Sequence, residues 1–364
     1  MDREFECYVG IDWATRSHQV CLVAGGDAPG QREFAHTSDG LSRLAGWLCE
    51  QASNPELVAV AIEVPHGPVV ETLVEQGLSV FSLNPKQLDR FRDRHTVAGA
   101  KDDRLDAFVL ADALRTDLPK FKPIAVPDPT IVELREVTRC YDNLVTDTHR
   151  CVNRLREQLQ RFAPHLLELC RAADEPWFWD LVDIAADPAK ARVLRRDRVT
   201  ALLSRHRKRS VSVSDAIAAV RTPPLSVAPG TLEAILWHIS VLTPQLRLLH
   251  GQAVACRERL GELNTSQGRT SEILVSHTGI GVVIAATIVG EASQAVAESD
   301  LGRLRVLAGT APVTKRSGRS LAVGMRRACN SRLRHMVRQW AFTAARSDPY
   351  PRPLPANEGS GAPP

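Results

Sequence analysis

The sequence lacks the features that mark membrane, secreted and zinc-finger proteins. It contains no run of about 18 apolar residues, the length that a transmembrane helix requires, so no membrane partner is expected. Its first residues, Met1-Asp2-Arg3-Glu4, do not resemble a signal peptide. The eight cysteines stand singly, without a CxxC pair, which argues against a zinc site or a disulfide framework. These absences predict a globular protein of a reducing, cytoplasmic compartment.

Charge is unevenly distributed along the chain. The 364 residues suggest two or three domains, and 44% hydrophobic with 24% charged residues is ordinary for a globular protein. The net charge is only +4, but residues 192–209 carry eight lysines and arginines with one acid. Residues 315–338 carry eight lysines and arginines with no acid. Such local runs indicate a polyanionic partner.

The first hundred residues alternate between strand and helix signals. Three short apolar segments with brief gaps predict an antiparallel meander, and a continuous apolar run then predicts a central parallel strand. The resulting order, βββαβαβα, predicts a mixed sheet with helices packed on it. The predicted strands are 7–12, 18–24, 31–36, 57–62 and 78–83, and the predicted helices run from Ser38 or Asp39 to about Gln51, over 67–76, and from Pro85 onward.

Four carboxylates are candidates for one site. Asp12 and Glu63 each end a predicted strand, and ligands bind at that edge of open α/β sheets. Asp103 and Asp106 share a face of a helix predicted over 103–115. For that helix alone, a solvated and capped start is the simpler interpretation. Convergence of all four would instead require Mg²⁺ or Mn²⁺, because clustered carboxylates do not stay ionised without cations.

The middle of the chain is predicted to be helical. Residues 131–169 carry an apolar stripe at near-heptad spacing, typical of a coiled coil or a bundle, and a dimer contact is one use for it. The aromatic cluster 176–179 favours core packing over base stacking. Residues 193–207 predict a basic helix, and a second striped helix is predicted over 231–263.

The last part of the chain carries two patterns suited to DNA. Thr278-Gly279-Ile280-Gly281 followed by an apolar helix is the pattern of a helix-hairpin-helix, whose backbone N–H groups hold a phosphate. A plain packing corner is the alternative. Ser317 follows in a predicted glycine-containing loop, flanked by Lys315, Arg316 and Arg319. Guanidinium groups beside a hydroxyl suit a nucleophile for phosphate chemistry, although a phosphate clamp without a covalent role, or a disordered basic loop, fits the same residues.

Two further segments complete this region. Residues 325–334 are predicted to continue as a basic helix, and residues beyond Ser347 are predicted to form a disordered tail.

Taken together and in this order, the motifs resemble the insertion sequence 110 family of DEDD transposases. Tyr8-Val9-Gly10-Ile11-Asp12, Ala61-Ile62-Glu63 and Lys101 to Ala107 are similar to the family's RuvC-like (RNase H-like) domain. Thr278 to Gly281, and Gly309 through Arg334, are similar to its C-terminal transposase domain. The resemblance implies an α/β RuvC-like domain over 1–120, a helical coiled-coil and linker region over 121–269, a mostly α-helical transposase domain over 270–347 and a tail over 348–364.

The resemblance also implies a mechanism. Asp12, Glu63, Asp103 and Asp106 would hold Mg²⁺ or Mn²⁺, and Ser317 would attack DNA to form a covalent phosphoserine link. The RuvC-like domain of one subunit and the serine domain of another would build a composite site in a homo-oligomer, a dimer or a tetramer. A structured bridge RNA would pair with donor and target DNA. The expected nucleic-acid-binding residues are Gly279, Gly281, Lys315, Arg316, Arg319, Arg326, Arg327, Arg332 and Arg334.

Three positions leave alternatives open. Thr278 stands where many family members have proline, which weakens the turn pattern. Asp102 adjoins Asp103 and is an alternative ligand, although the three-residue spacing to Asp106 favours Asp103. Ser320 is a second serine in the same predicted loop and ranks below Ser317 as the nucleophile.

Other functions fit parts of the pattern. A RuvC-like nuclease would cut structured DNA with metal-activated water and form no covalent intermediate. The sugar-kinase and actin-like fold also begins with a Gly-Ile-Asp strand, but it places small residues where Trp13 stands. A non-catalytic nucleic-acid-binding protein would use the carboxylates only structurally and would bind without divalent cations.

Overall fold

The computed structural model describes residues 4–24, 29–95, 102–121, 123–124, 128–318 and 320–347, apart from the side chain of Lys86. The chain divides into two compact units, Met1–Pro127 and Asp128–Pro364. The finer division of the second unit at residue 270 stays a prediction. Among the described residues, no helix combines the length and the apolar character needed to cross a bilayer. The predicted tail beyond Ser347 lies outside the described residues.

The first unit is built on a five-stranded mixed sheet in the order β3-β2-β1-β4-β5. The first three strands form the predicted antiparallel meander, and β4 and β5 extend it in parallel from β1. The mixed α/β fold expected for the N-terminal part is therefore confirmed. The strands are β1 Cys7–Asp12, β2 Ser17–Ala24, β3 Gly30–Ala35, β4 Val58–Ile62 and β5 Ser79–Ser82.

Helices cover both faces of this sheet, because its central strands are apolar on both sides. One face carries the larger side chains Val58, Val60 and Ile62 and packs against two of the helices. The other face carries Ala59 and Ala61 and packs against the last helix of the unit. The helices are α1 Ser38–Cys49, α2 Pro68–Glu75, α3 Pro85–Arg92 and α4 Asp103–Asp117, with 3₁₀ turns at Pro55–Leu57 and Leu118–Lys120.

The second unit begins with a helical region around two long helices that pack side by side. Buried side chains of both stripes, including Leu155 and Ile239, join one core. Trp177, Phe178 and Trp179 are buried in that core, which confirms the packing interpretation of the aromatic cluster. The helices are α5 Pro129–Phe162, α6 Pro176–Ala185, α7 Pro188–Arg192, α8 Arg196–Arg205, α9 Val213–Arg221 and α10 Thr231–Ser266, with a 3₁₀ turn at Pro164–Glu168.

The remaining elements follow α10 and contain one small sheet. They are α11 Arg269–Ser276, α12 Val282–Ala297, α13 Leu301–Leu307, β6 Val313–Ser317, β7 Ser320–Gly324 and α14 Ser331–Ser347. Strands β6 and β7 pair as an antiparallel hairpin. This part of the chain is therefore mostly helical, as predicted, but it carries a hairpin that was not predicted.

Two predicted helix boundaries and one predicted loop differ from the structure. The helix predicted over 131–169 ends at Phe162, because Pro164 cannot continue it and Ala163 turns to φ −133°, ψ 54°. The basic helix predicted over 325–334 begins only at Ser331, because the Asn330 side chain accepts the N–H groups of Arg332 and Leu333, both at 3.1 Å. The basic loop around Ser317 is the β6–β7 hairpin.

Candidate active site

Two carboxylates lie side by side where neighbouring parallel strands end. The last pair between the parallel strands β1 and β4 is Ile11 with Ile62. Asp12 directly follows Ile11, and Glu63 directly follows Ile62. Side chains alternate along a strand, so both residues belong to the face that carries Gly10 and Ala61. That is the face covered by α4.

Helix α4 approaches this face at backbone contact distance. A Cβ atom on Gly10 would lie 1.9 Å from the carbonyl oxygen of Ala107 and 2.6 Å from the backbone nitrogen of Ala111. Ala107 and Ala111 are one turn apart on α4, so the helix runs across β1 at the glycine. The first turn of α4, which holds Asp103 and Asp106, is thereby brought to the end of β1.

The electrostatics of Asp12 show that the other three carboxylates act on it. Burial, first, and the negative charges of Asp103, Asp106 and Glu63 together raise the pKa of Asp12 to about 6. The nearby guanidinium of Arg92 lowers the same pKa. The structure thus places three of the acids that the sequence singled out within electrostatic reach of the fourth, Asp12, and their joint metal binding stays a prediction.

Asp102 and Asp103 have different surroundings. The Asp102 carboxylate caps α4 by accepting the backbone N–H of Arg104 at 3.0 Å. Asp103 lies exposed in the first turn and contributes to the charge at Asp12, whereas Asp106 is buried. The capping bond accounts for Asp102 locally and leaves Asp103 beside the other acids.

One cation of the site was missed by sequence reasoning. The Nε of Arg92, at the end of α3, donates to Oδ1 of Asp106 at 2.7 Å. Its Nη1 also donates to Asp89 at 3.0 Å. No local motif marks this arginine, because its contact with Asp106 depends on how α3 packs against α4.

The donor set fits a hard divalent cation. All four groups are carboxylates, the ligands that suit Mg²⁺ and Mn²⁺, and their mutual repulsion is the charge imbalance that such a cation neutralises. Within the described ranges, no three His, Cys, Asp or Glu side chains are arranged so that they could already hold a metal ion. The quartet therefore has the chemistry of a metal site, with Asp106 engaged by Arg92.

The Asp12→Asn protein is expected to be more stable than wild type without divalent cations, by about 1 kcal/mol at pH 7.5, because solvent reaches the half-buried carboxylate and screens part of its repulsion. The folded-state pKa of Asp12, about 6, lies above its ordinary value, so the ionised group opposes folding at neutral pH. Thermal unfolding in EDTA measures the gain. Mg²⁺ should raise the midpoint of wild type and leave that of the variant unchanged; equal Mg²⁺ stabilisation of both proteins would contradict the role of Asp12.

Ser317 lies at the tip of the β6–β7 hairpin. It is the last residue of β6, pairs with Ser320 across the strands, and is exposed. Gly318 makes the turn with φ +56°, a conformation that glycine adopts without a Cβ penalty. The pairing register puts Lys315 on the same face as Ser317, and Arg316 on the opposite face. Arg319 lies outside the described residues.

The opposite face of the hairpin is exposed and combines two apolar with two polar side chains. Leu321 and Val323 pair with Arg316 and Thr314 on that face, and their exposed fractions are 66% and 64%. A single hairpin cannot bury both of its faces, so Ser317 and Lys315 are exposed on one face, and Leu321 and Val323 are exposed on the other.

The hairpin base is held by a polar network that sequence reasoning missed. The Glu291 side chain, only 5% exposed, accepts from Arg139 Nε at 3.1 Å and from Asn330 Nδ2 at 2.7 Å. Arg332 Nη1 lies 3.2 Å from Asp142 Oδ2, which joins α14 to α5. These contacts order the segment between β7 and α14.

Five of the basic residues predicted to bind nucleic acid fall into two groups, and Arg326 is half-buried. Arg332 pairs with Asp142, and the Arg334 guanidinium packs on Gly309 and donates to the backbone carbonyl of Arg326, so both hold the chain itself together. Lys315, Arg316 and Arg327 are exposed. The second group has the accessible charge that a polyanion requires.

The Glu291→Ala protein is expected to lose about 2–3 kcal/mol of unfolding free energy, because Arg139 and Asn330 would lose a shared, buried acceptor. Urea unfolding measures this loss. Glu133→Ala is the matched control, since it removes a carboxylate that pairs with Arg259 on an exposed surface. Equal effects of the two substitutions would rule out a special role for the buried network.

The Gly-Ile-Gly turn joins α11 to α12, as the pattern predicted. Gly279 has φ +85°, and a Cβ there would lie 2.8 Å from the backbone nitrogen of Ala344 in α14. Gly281 precedes the first turn of α12 and is exposed. The first glycine is thus required by packing, and phosphate binding at this turn stays a prediction.

Two family models match the intervals of the chain that contain the candidate residues. The family model of IS110 DEDD transposases, described as "Transposase", matches residues 9–164, and the model "Transposase IS116/IS110/IS902 family" matches residues 271–354. The first interval contains the carboxylate quartet, and the second contains Ser317. Both matches therefore cover the residues that carry the candidate chemistry.

Individual relatives extend the agreement over the whole chain. "Putative transposase y4uE" of Sinorhizobium fredii is 49% identical over 212 residues, which span 57% of this chain and 59% of that protein. "Mini-circle putative transposase for IS117" of Streptomyces coelicolor is 29% identical over 94% of this chain and 85% of its own length. "Insertion element IS116 uncharacterized 44.8 kDa protein" of Streptomyces clavuligerus is 28% identical over 98% of this chain and 88% of its own length. The chain belongs to the IS110 family of transposases, enzymes that cut and rejoin DNA.

Proposed function

We propose that this transposase excises and inserts its element by a metal-assisted serine mechanism, guided by a structured bridge RNA. The observation that carries the proposal is the neighbourhood of Asp12, Glu63, Asp103 and Asp106 at one sheet edge, with burial and mutual repulsion raising the pKa of Asp12. An RNase H-like interpretation of the first unit agrees with its strand order and with acids at the ends of β1 and β4. Bridge-RNA guidance rests on the family resemblance.

The quartet would hold one or two Mg²⁺ ions through Asp12, Glu63, Asp103 and Asp106. Bound there, the cation would supply Lewis-acid polarisation of the scissile phosphate and neutralise developing charge. Asp102 would remain the helix cap and take no part in binding.

Ser317 would act as the nucleophile. Its hydroxyl oxygen attacks phosphorus, the bond to the 3′ oxygen breaks, and the 3′ end leaves as a hydroxyl while a phosphoserine ester forms. The ester conserves the energy of the broken phosphodiester, so a second 3′ hydroxyl can reverse the step and join a new strand. Lys315, on the same hairpin face, is placed to neutralise the phosphate charge.

Exposed basic residues would hold the nucleic acids. Lys315, Arg316 and Arg327 offer accessible charge, whereas Arg332 and Arg334 would act by keeping the hairpin base in place. A homo-oligomer would combine the quartet of one subunit with the serine of another. This arrangement is a proposal from the family resemblance and predicts that a serine-deficient and an acid-deficient protein complement each other in a mixture.

The test combines the purified protein with Mg²⁺, the element's flanking non-coding RNA and end-labelled junction DNA. Products are separated on a denaturing gel with and without protease. A protease-sensitive DNA adduct that requires both Mg²⁺ and the RNA supports the whole proposal. Cleavage to free 5′-phosphate ends without an adduct would instead support a RuvC-like nuclease. Binding that needs no Mg²⁺ and leads to no cleavage would refute a catalytic role for the quartet.

A further inference from the structure

Arg92 occupies Oδ1 of Asp106, a carboxylate oxygen of the candidate metal site. Its Nε lies 2.7 Å from Oδ1 of Asp106, and the two side chains are only 15% and 11% exposed. Nη1 reaches Oδ1 of Asp89 at 3.0 Å, so the guanidinium spans a carboxylate of its own helix and one of α4. The pair is nearly shielded from water, which makes the interaction stronger than a surface ion pair.

The guanidinium supplies positive charge to the quartet itself. Arginine stays protonated at every accessible pH, so Arg92 is a permanent cation in this position. Its charge reaches beyond Asp106 and also lowers the pKa of Asp12. Arg92 therefore offsets part of the repulsion that the four acids would otherwise impose on the metal-free fold.

We propose that Arg92 is an internal counter-ion that competes with the divalent cation for Asp106. This inference rests on the proposed function, because it requires that the quartet binds a divalent cation. A metal ion bound to Asp106 would share its carboxylate with the guanidinium, which already holds Oδ1, and the two positive charges would repel each other at such short range. Metal binding is accordingly coupled to release of Arg92 from Asp106. Arg92 stabilises the empty site and lowers its affinity for the cation.

The opposite role makes the opposite prediction. A partner that holds a ligand in place through its second oxygen orients the ligand and strengthens metal binding, so its removal weakens affinity. For Arg92 as a competitor, removal strengthens affinity. The sign of the change in metal affinity therefore separates competition from positioning.

The chain offers a matched control on the same helix. Asp112 of α4 is also buried, and it pairs with Arg115 Nη2 at 2.6 Å and with His95 Nε2 at 3.1 Å. Asp112 is not among the main charges that act on Asp12. Arg115→Met therefore removes an arginine–carboxylate contact of α4 without touching the quartet.

The experiment measures Mn²⁺ binding by isothermal titration calorimetry and by the electron paramagnetic resonance of free Mn²⁺. Thermal unfolding in EDTA is recorded for the same proteins. Arg92→Met is expected to bind Mn²⁺ about tenfold more tightly than wild type and to unfold at a lower temperature without metal. Arg92→Gln, which keeps a hydrogen-bond donor without charge, should change affinity in the same direction and serves if the methionine variant does not fold. Arg115→Met should lower only the unfolding temperature.

Unchanged or weaker Mn²⁺ binding by both Arg92 variants would overturn the proposal. Asp106→Asn must abolish the binding measured in wild type, which assigns that binding to the quartet. If wild type and all variants bind no Mn²⁺, the metal-site proposal itself fails and the competition fails with it. That result differs from one in which wild type binds Mn²⁺ and the Arg92 variants match it, where only the inference about Arg92 is lost.

Discussion

The Ser317→Ala protein is expected to form no covalent DNA adduct and to recombine at least about 1000-fold more slowly than wild type. Alanine removes the only oxygen that the proposed ester can form on at this position. Ser317 is exposed at the hairpin tip, where it forms the last strand pair with Ser320. The substitution should therefore leave the fold intact. Adduct formation on a denaturing gel and recombination of junction DNA measure the loss, while filter binding checks that DNA and RNA still bind.

Ser320→Ala is the control for this prediction. Ser320 pairs directly with Ser317, lies on the same hairpin face and is equally exposed, so the two substitutions make the same chemical change within one turn. The Ser320→Ala protein is expected to keep its adduct and most of its recombination activity. An adduct that persists in Ser317→Ala and disappears in Ser320→Ala would transfer the nucleophile to Ser320. A DNA adduct that persists in both variants would exclude Ser317 and Ser320 as the nucleophile.

The Gly10→Ala protein is expected to lose about 3 kcal/mol of unfolding free energy and nearly all recombination activity. The new Cβ would meet the backbone of α4, 1.9 Å from the Ala107 oxygen, and neither backbone can move independently of its element. Helix α4 must therefore shift away from β1 and carry Asp103 and Asp106 away from Asp12. Urea unfolding measures the stability, and Mn²⁺ titration measures the effect on the quartet.

Gly46→Ala is the control within the same unit. Gly46 lies exposed in α1, and a Cβ there would meet no atom within 4 Å. This substitution is expected to stabilise the protein by about 0.5–1 kcal/mol, the usual gain from replacing a helical glycine. Comparable losses in both proteins would show that Gly10 owes its effect to something other than the close approach of α4.

The sheet and its carboxylates were predictable because their signals are local. Alternating and continuous apolar runs identified β1 to β5, and the short gaps implied the meander. Asp12 and Glu63 were identified because acids at the ends of adjacent parallel strands meet at one edge. Even here the detail was approximate, since Thr37 rather than Ser38 or Asp39 caps α1.

The secondary-structure predictions were wrong where two local sequence signals conflict, and where strand pairing determines the element. The apolar spacing that marks α5 in the sequence continues past Phe162, but Pro164 ends the helix. Residues around Ser317 show glycine and basic residues, which suit a loop, while their pairing with residues 320–324 makes a hairpin. A short, exposed, charged strand has almost no periodic signature, because neither face is consistently buried.

The sequence by itself determined the order of elements, the four acids and the basic segments, because side-chain period, caps and charge runs act within a few residues. Only the tertiary structure decided which groups meet across longer separations. Arg92 reaches Asp106 over 14 positions, Asn330 reaches Glu291 over 39, and Arg139 reaches Glu291 over 152. Those contacts depend on how closely backbones pack, as Gly10 allows α4 to do on β1, and packing is a property of the folded chain as a whole.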